Sequence, residues 1–406
     1  MSTDPHAPPR PLPDRPNLRH LKDQAKDLVQ GGTAKSITDA QFKIARLYGF
    51  PSWPKLKAHV ESLEEVGQLK QAIDDNDIER VKTMMMRNPA LHRAPIGYGK
   101  DGPLTWVAEC RVPRESPSPT RLAMARWMIE NGSDVHQGGD GPLMRAALGD
   151  RVPMMDLLVS CGADVNAEWH GHFPIIFSPC ESLDPVALRW LLNHGANPNV
   201  NPQGNYRGTA LDYVIGTYER SPERLSACID VLLDAGCATK YDAPGVLDVL
   251  RCRLDRLAER LDADPGLAHR RFPELDCGST GARRLLLQGA TLLHVAAEFG
   301  VLDAARLLLD RGADVNARAT VDDALVGGQT AIFHAVTQFG DGGLPMARFL
   351  VERGADLGVR VILPGHYERP DEVIECTPLG YARRFQKESD SEGRTIAFLR
   401  EHGAIL

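Results

Sequence analysis

Two histidines one residue apart, His170 and His172, are the nearest thing in this sequence to a metal-ligand set. Two imidazoles can share a zinc ion, but a stable site needs further ligands at fixed spacing, and no carboxylate or thiol completes such a pattern here. The pair therefore reads as a polar loop tip. The chain contains no H-E-x-x-H, no G-x-S-x-G and no glycine fingerprint following a strand. Gly32-Thr33-Ala34-Lys35-Ser36 resembles the end of a phosphate loop, yet Ala34 replaces the required glycine and Val29 stands where the first glycine belongs. Asn131-Gly132-Ser133 has the form of a glycosylation sequon but lies at a helix-ending turn. No nucleophile–base pair can be named. No catalytic, cofactor-binding or metal-binding residue is assigned, and the reading leans away from an enzyme.

Composition narrows the partners. With 47 Lys+Arg against 54 Asp+Glu the net charge is −7, and no long basic run is present, so nucleic acid is disfavoured as a partner. The eight cysteines (Cys110, Cys161, Cys180, Cys228, Cys237, Cys252, Cys277 and Cys376) are scattered without a C-x-x-C, which suits a reducing cytoplasm. The Pro-rich, polar N-terminus lacks the apolar core of a secretory signal, and no apolar run is long enough to span a bilayer. A cytoplasmic protein with no membrane partner is expected.

The elements that must position any site are clearest in Thr291–Ala317, TLLHVAAEFGVLDAARLLLDRGADVNA. Thr291 is a residue type that caps a helix, and Ala296 and Ala297 let a second helix approach closely. Gly300 ends the first helix. Leu302, Ala305, Leu308 and Leu309 then give a second helix one apolar face, and Gly312 stops it. Two helices this short cannot bury their apolar faces alone, so neighbours of the same kind are required.

This stretch resembles the ankyrin repeat, with its T-P-L-H-x-A-A opening, leucine pair and G-A-D-V-N-A turn; Leu292 stands where proline is usual. The resemblance implies an all-α fold, an ankyrin-repeat α-solenoid of helix–turn–helix units with outward hairpin loops. Residues 1–16 form a Pro-rich arm without regular structure, and 17–65 a helical cap. DAQFKIARLYGFPSWPKLKAHVE is similar to the N-terminal flank of some bacterial ankyrin proteins, and Ser52 is expected to cap its third helix. Residues 66–406 form an array of about nine units by the ankyrin period, and the unit near 243–289 is divergent. That unit echoes the first: Asn88-Pro89-Ala90-Leu91 recurs as Asp264-Pro265-Gly266-Leu267. Met84, Met85 and Met86 are expected to fill core gaps.

The ankyrin family binds partners in the concave groove made by hairpin tips and inner helices. Transferred position by position, the tips offer Trp169, His170 and His172, then Asn205, Tyr206 and Arg207. Helix ends offer Glu109, Glu181, Thr217, Glu298, Phe299, Gln338, Arg383 and Arg384. The partly inward positions hold Trp106, Arg145, Phe177, Tyr213, Val295, His334 and Tyr381. His294 takes the family's structural histidine position, whereas His334, one place later, is expected to face the groove. The leading expectation is a protein-binding scaffold gripping one partner segment through Trp106, Arg145, Trp169, His170, His172, Glu181, Tyr206, Arg207, Tyr213, Glu298, Phe299 and His334. The second reading is a small-molecule site, or an enzyme, in a cavity enclosed by the long inter-repeat loops and the aromatic inner face.

Overall fold

The computed structural model describes residues 9–13, 16–109, 116–201, 208–280, 283–369, 371–387 and 391–406. The chain divides into two compact units, Met1–Val112 with Pro117–Pro142, and Pro113–Ser116 with Leu143–Leu406.

In the first unit, α1 (Leu18–Gln30) starts where the Asn17 carboxamide accepts the amides of Arg19 and His20. Ser36 caps α2 (Ile37–Leu47) in the same way through Asp39 N. These helices and α3 (Trp53–Asp74) enclose Leu21, Ala25, Ile44, Leu56 and Val60, with Phe50 and Trp53 packed at the margin. Ser52 occupies the N-cap position, but its hydroxyl makes no capping bond; Pro54, which lacks an amide hydrogen, sits in the first turn. The boundary expected at 65/66 falls inside α3, because the only glycine there, Gly67, stays helical and no proline interrupts the run. Next come α4 (Ile78–Arg87), α5 (Pro103–Glu109) and α6 (Pro119–Glu130). Met84 and Met85 are buried as expected, whereas Met86 points to solvent.

The chain enters the second unit along α7 (Gln137–Leu148), after which α8 spans Val152–Ser160. Short and longer helices then alternate: α9 (Phe177–Glu181), α10 (Pro185–Asn193), α11 (Ala210–Gly216) and α12 (Pro222–Asp234). They continue as α13 (Val246–Leu250), α14 (Leu254–Ala263), α15 (Leu292–Glu298) and α16 (Leu302–Asp310). The series closes with α17 (Ala331–Ala335), α18 (Leu344–Glu352), α19 (Pro378–Arg384) and α20 (Arg394–Glu401). The short helices α13, α15, α17 and α19 pack successively in one row, and α14, α16, α18 and α20 in another. The divergent unit therefore stays in register with the stack. Its echo of the first unit is literal: Asn88 and Asp264 share φ −135° and ψ near 90°, and each side chain accepts the amide two residues on.

The G-A-D-V-N-A turn has a visible purpose. Asn316 donates to Gly354 O and accepts from Asp356 N, clasping its repeat to the next. Asn166 does the same with Gly195 O and Asn197 N, and Asn199 with Gly236 O and Ala238 N. Of the glycines bonded there, Gly195 and Gly354 sit near φ +90°, a region that admits no β-carbon cheaply.

Two antiparallel hairpins project from the repeats. One pairs β1 (Glu168–Trp169) with β2 (Phe173–Pro174), Trp169 opposite Phe173; the other pairs β3 (Val361–Pro364) with β4 (Val373–Cys376). Single bridges join the latter hairpin to two further insertions, Arg283 to His366 and Gly327 to Ile362. The described parts of three long insertions, 272–290, 318–328 and 360–375, are thus joined to one another. The fold class is the expected all-α repeat solenoid.

Candidate partner-binding face

The strip of rings expected from the repeat positions assembles along the hairpin β1–β2 and the short helices α9 and α11. The turn 170–172 takes positive φ at His170 and Gly171, which folds the hairpin back and leaves Trp169 half-exposed at the tip. The indole meets Phe173 edge-on at 6.2 Å, and Phe173 in turn meets Phe177 and Tyr213 edge-on at 6.0 Å each. Phe177 and Phe173 are buried, so the ladder has a rigid floor; Tyr213 is half-exposed and presents its hydroxyl end. That hydroxyl donates to Glu181 Oε2 at 3.3 Å, and the Tyr218 hydroxyl donates to Glu181 Oε1 at 3.0 Å. Thr217 ties its hydroxyl to the Glu181 carbonyl. A half-buried carboxylate is thus fixed between two phenols beside the ladder, and Tyr218 is 48% exposed.

His170 and His172 complete the tip. Their rings lie 4.5 Å and 5.9 Å from the indole, and His172 Nδ1 donates to the His170 carbonyl. Among the described residues no cluster of three or more His, Cys, Asp or Glu could hold a metal ion.

The remaining expected residues are placed differently. Trp106, in the first unit, is half-buried; its Nε1 donates to Asp74 at 2.7 Å and Lys70 Nζ lies 4.2 Å over its ring. Arg145 is half-buried in the second unit, its carbonyl accepting from Arg151. Asn205, Tyr206 and Arg207 lie outside the described residues. Glu298, Phe299 and His334 are a correction: all three are sealed inside the protein, with Glu298 and His334 0% exposed. Arg283, from the insertion 272–290, stands on Glu298, Arg220 lies over the Phe299 ring, and His334 bonds Glu298.

Beneath that cover lies a network missed by the sequence reading. Arg220 reaches Glu298 Oε1 through Nε at 3.0 Å and Nη2 at 2.8 Å. Arg283 Nη2 spans both Glu298 oxygens, at 3.0 and 2.8 Å, and His334 Nδ1 donates to Oε2 at 2.7 Å. Gln338 donates to the Glu298 and His334 carbonyls. Burial alone would raise the Glu298 pKa, but Arg283 and Arg220, with the histidine bond, hold it down to about 2. Burial also keeps His334 below its ordinary value and takes His294 down to about 3. His294 fills the structural role expected of it: Nδ1 accepts from Thr291 N and Nε2 donates to Gln329 O. Arg220 and Arg283 sit in insertions with no counterpart in the repeat pattern, so periodicity carries no signal for them. Tyr218 was missed for the same reason.

A cleft of about 520 Å³ opens among the three insertions, lined by Arg284, Leu286, Thr320, Asp322, Gln329 and Glu372 among others. Its walls are loops, as the small-molecule reading expects, but its lining carries no aromatic ring.

Comparison with known proteins agrees with this geometry. Residues 270–361 match the family of ankyrin repeats in three copies, and residues 138–169 match the ankyrin repeat singly. The chain carries ankyrin repeats. It is similar to the ankyrin repeat protein FPV022 of fowlpox virus, 25% identical over 256 residues that cover 60% of this chain and 41% of the viral one. The chain thus spans about two fifths of that relative's length. The human ASB11 ankyrin repeat domain aligns over 63% of this chain and 99% of its own, at 19% identity and a TM-score of 0.36, too low to bear on the path of the stack. Ankyrin repeats generally serve as protein–protein interaction scaffolds. No helix among the described residues is long and apolar enough to cross a membrane.

Proposed function

We propose that this protein is a cytoplasmic scaffold that grips a protein partner along the strip Trp169–Phe173–Tyr213–Tyr218, with Glu181 as its polar anchor. The observation that carries this reading is the way the strip is built. Buried Phe173 and Phe177 fix the outer rings, while Trp169 and Tyr213 stay half-exposed and Tyr218 exposed. Large, rotamer-poor aromatics held rigid beside one directed polar group are what dominate protein-binding hot spots. The seven described cysteines are all unbridged, in keeping with a reducing compartment. His170 and His172 flank the same tip and belong to the proposed contact surface, as do Tyr206 and Arg207 by their repeat position.

Affinity capture from native lysate with wild type and a Trp169→Ala/Tyr218→Ala double variant tests this. A protein held by wild type and released at least tenfold more readily by the folded double variant is the expected result. Capture of the same protein by both would overturn the assignment of this strip.

A further inference from the structure

The row of short helices changes character along its length. At α9 and α11 the inner positions Glu181 and Tyr213 keep exposed surface, whereas at α15, α17 and α19 the corresponding Glu298, His334 and Tyr381 have none. What covers them is the chain itself. Arg283, carried on the insertion 272–290, is 1% exposed and stands on Glu298, and Tyr381 lies under Pro364 of β3.

Three features set Arg283 apart from an ordinary core contact. Glu298 is already paired with Arg220, so Arg283 brings a second cation onto one carboxylate and leaves an excess positive charge in the interior. Buried charge excess of this kind is poor material for stability. The guanidinium is also pre-shaped by its own segment, Nη1 donating to the Gly278 and Leu285 carbonyls. Finally, the fit is incomplete: Arg283 Nε, His334 Nε2 and Gln338 Oε1 are buried with no hydrogen-bond partner. All three atoms belong to residues that share the Glu298 carboxylate.

We propose that Glu298, His334 and Gln338 form a recognition site for an arginine side chain presented on an extended segment, filled in cis by Arg283. This half of the inner face is thereby withheld from outside partners, and binding is confined to the strip around Trp169. The site takes a guanidinium because Glu298 offers two acceptor oxygens, both spanned by Arg283 Nη2.

Hydrogen exchange on the full chain with Arg283→Ala tests the site. The Arg284 amide bonds to Gly365 O and the Thr320 amide to Gly289 O, both across the edges of the insertion, so they report its docking. They are expected to exchange at least tenfold faster in the variant, with α15 and α17 unchanged. Ethylguanidinium at low millimolar concentration then restores slow exchange by entering the vacated position, and ethylammonium at the same concentration does not. Unchanged exchange in the variant, or equal acceleration through α15 and α17, would show that Arg283 does not dock the insertion. Failure of ethylguanidinium to rescue, or equal rescue by ethylammonium, would show that no guanidinium site exists. Each of these outcomes overturns the proposal, and none depends on partner capture at Trp169.

Discussion

Phe177 and Tyr213, from consecutive repeats, stack with ring centroids 4.4 Å apart and planes 22° from parallel. One ring is buried and the other half-exposed, so the pair joins the core of the stack directly to its candidate binding surface.

That division predicts unequal costs. Phe177→Ala removes a fully buried ring and is expected to lower stability by about 3–5 kcal/mol. Trp169→Ala, at a half-exposed loop tip, is expected to cost under about 1 kcal/mol. Urea unfolding of the two variants separates them. A Trp169 variant as damaged as the Phe177 variant would mean that the strip serves folding.

Glu298 is the only carboxylate bonded to both Arg220 and Arg283 among the described residues. Its replacement by alanine strands two buried cations, and a loss of about 3–5 kcal/mol is expected. Arg283→Ala leaves the Arg220 pair intact and is expected to cost clearly less. Thermal melts of the two variants, compared with wild type, check the order; a reversed order would refute this account of the network.

Acid is expected to weaken the fold well before the carboxylates titrate. His294 and His334 are buried as neutral rings, and their folded-state pKa values lie below the ordinary 6.5, His294 at about 3. His334 is faced by Glu298, Arg283, Arg220 and the His294 ring. The unfolded chain therefore takes up protons below pH 6.5 that the folded chain refuses. The stability these rings contribute is present in full above pH 6.5 and is lost as pH falls below it, for His294 down to about 3, at up to about 1.4 kcal/mol per unit for each ring. Glu298, held at about 2 against an ordinary 4.5, adds its own loss only below pH 4.5. Urea midpoints at pH 7.5, 6 and 5 check this; a flat profile across that range would contradict the burial of both histidines as neutral rings.

Much of this architecture is legible in the sequence because ankyrin geometry repeats. Thr209 illustrates it: its hydroxyl accepts Asp212 N and the Asp212 carboxylate accepts Thr209 N, a reciprocal cap at the expected place. Trp169, Glu181 and Tyr213 are likewise expected at the surface from position alone, and each is half-exposed. The errors at Glu298, Phe299 and His334 share one cause. Repeat position fixes which way a side chain leaves its helix, but whether it meets solvent depends on insertions, whose course no periodicity encodes. Arg220, Tyr218 and Arg283 belong to such insertions, and only tertiary contact reveals what they do.

In a stack whose units touch only their neighbours, stability adds unit by unit and the ends fray separately. The asparagine clasps at 166, 199 and 316 obey that rule, each reaching only the next turn. Glu298 does not. It gathers Arg220 from the loop before α12, Arg283 from an insertion, and His334 from α17 onto one carboxylate. One carboxylate thereby ties together repeats from α11 to α17 that are not all neighbours, within an architecture otherwise built from nearest-neighbour contacts.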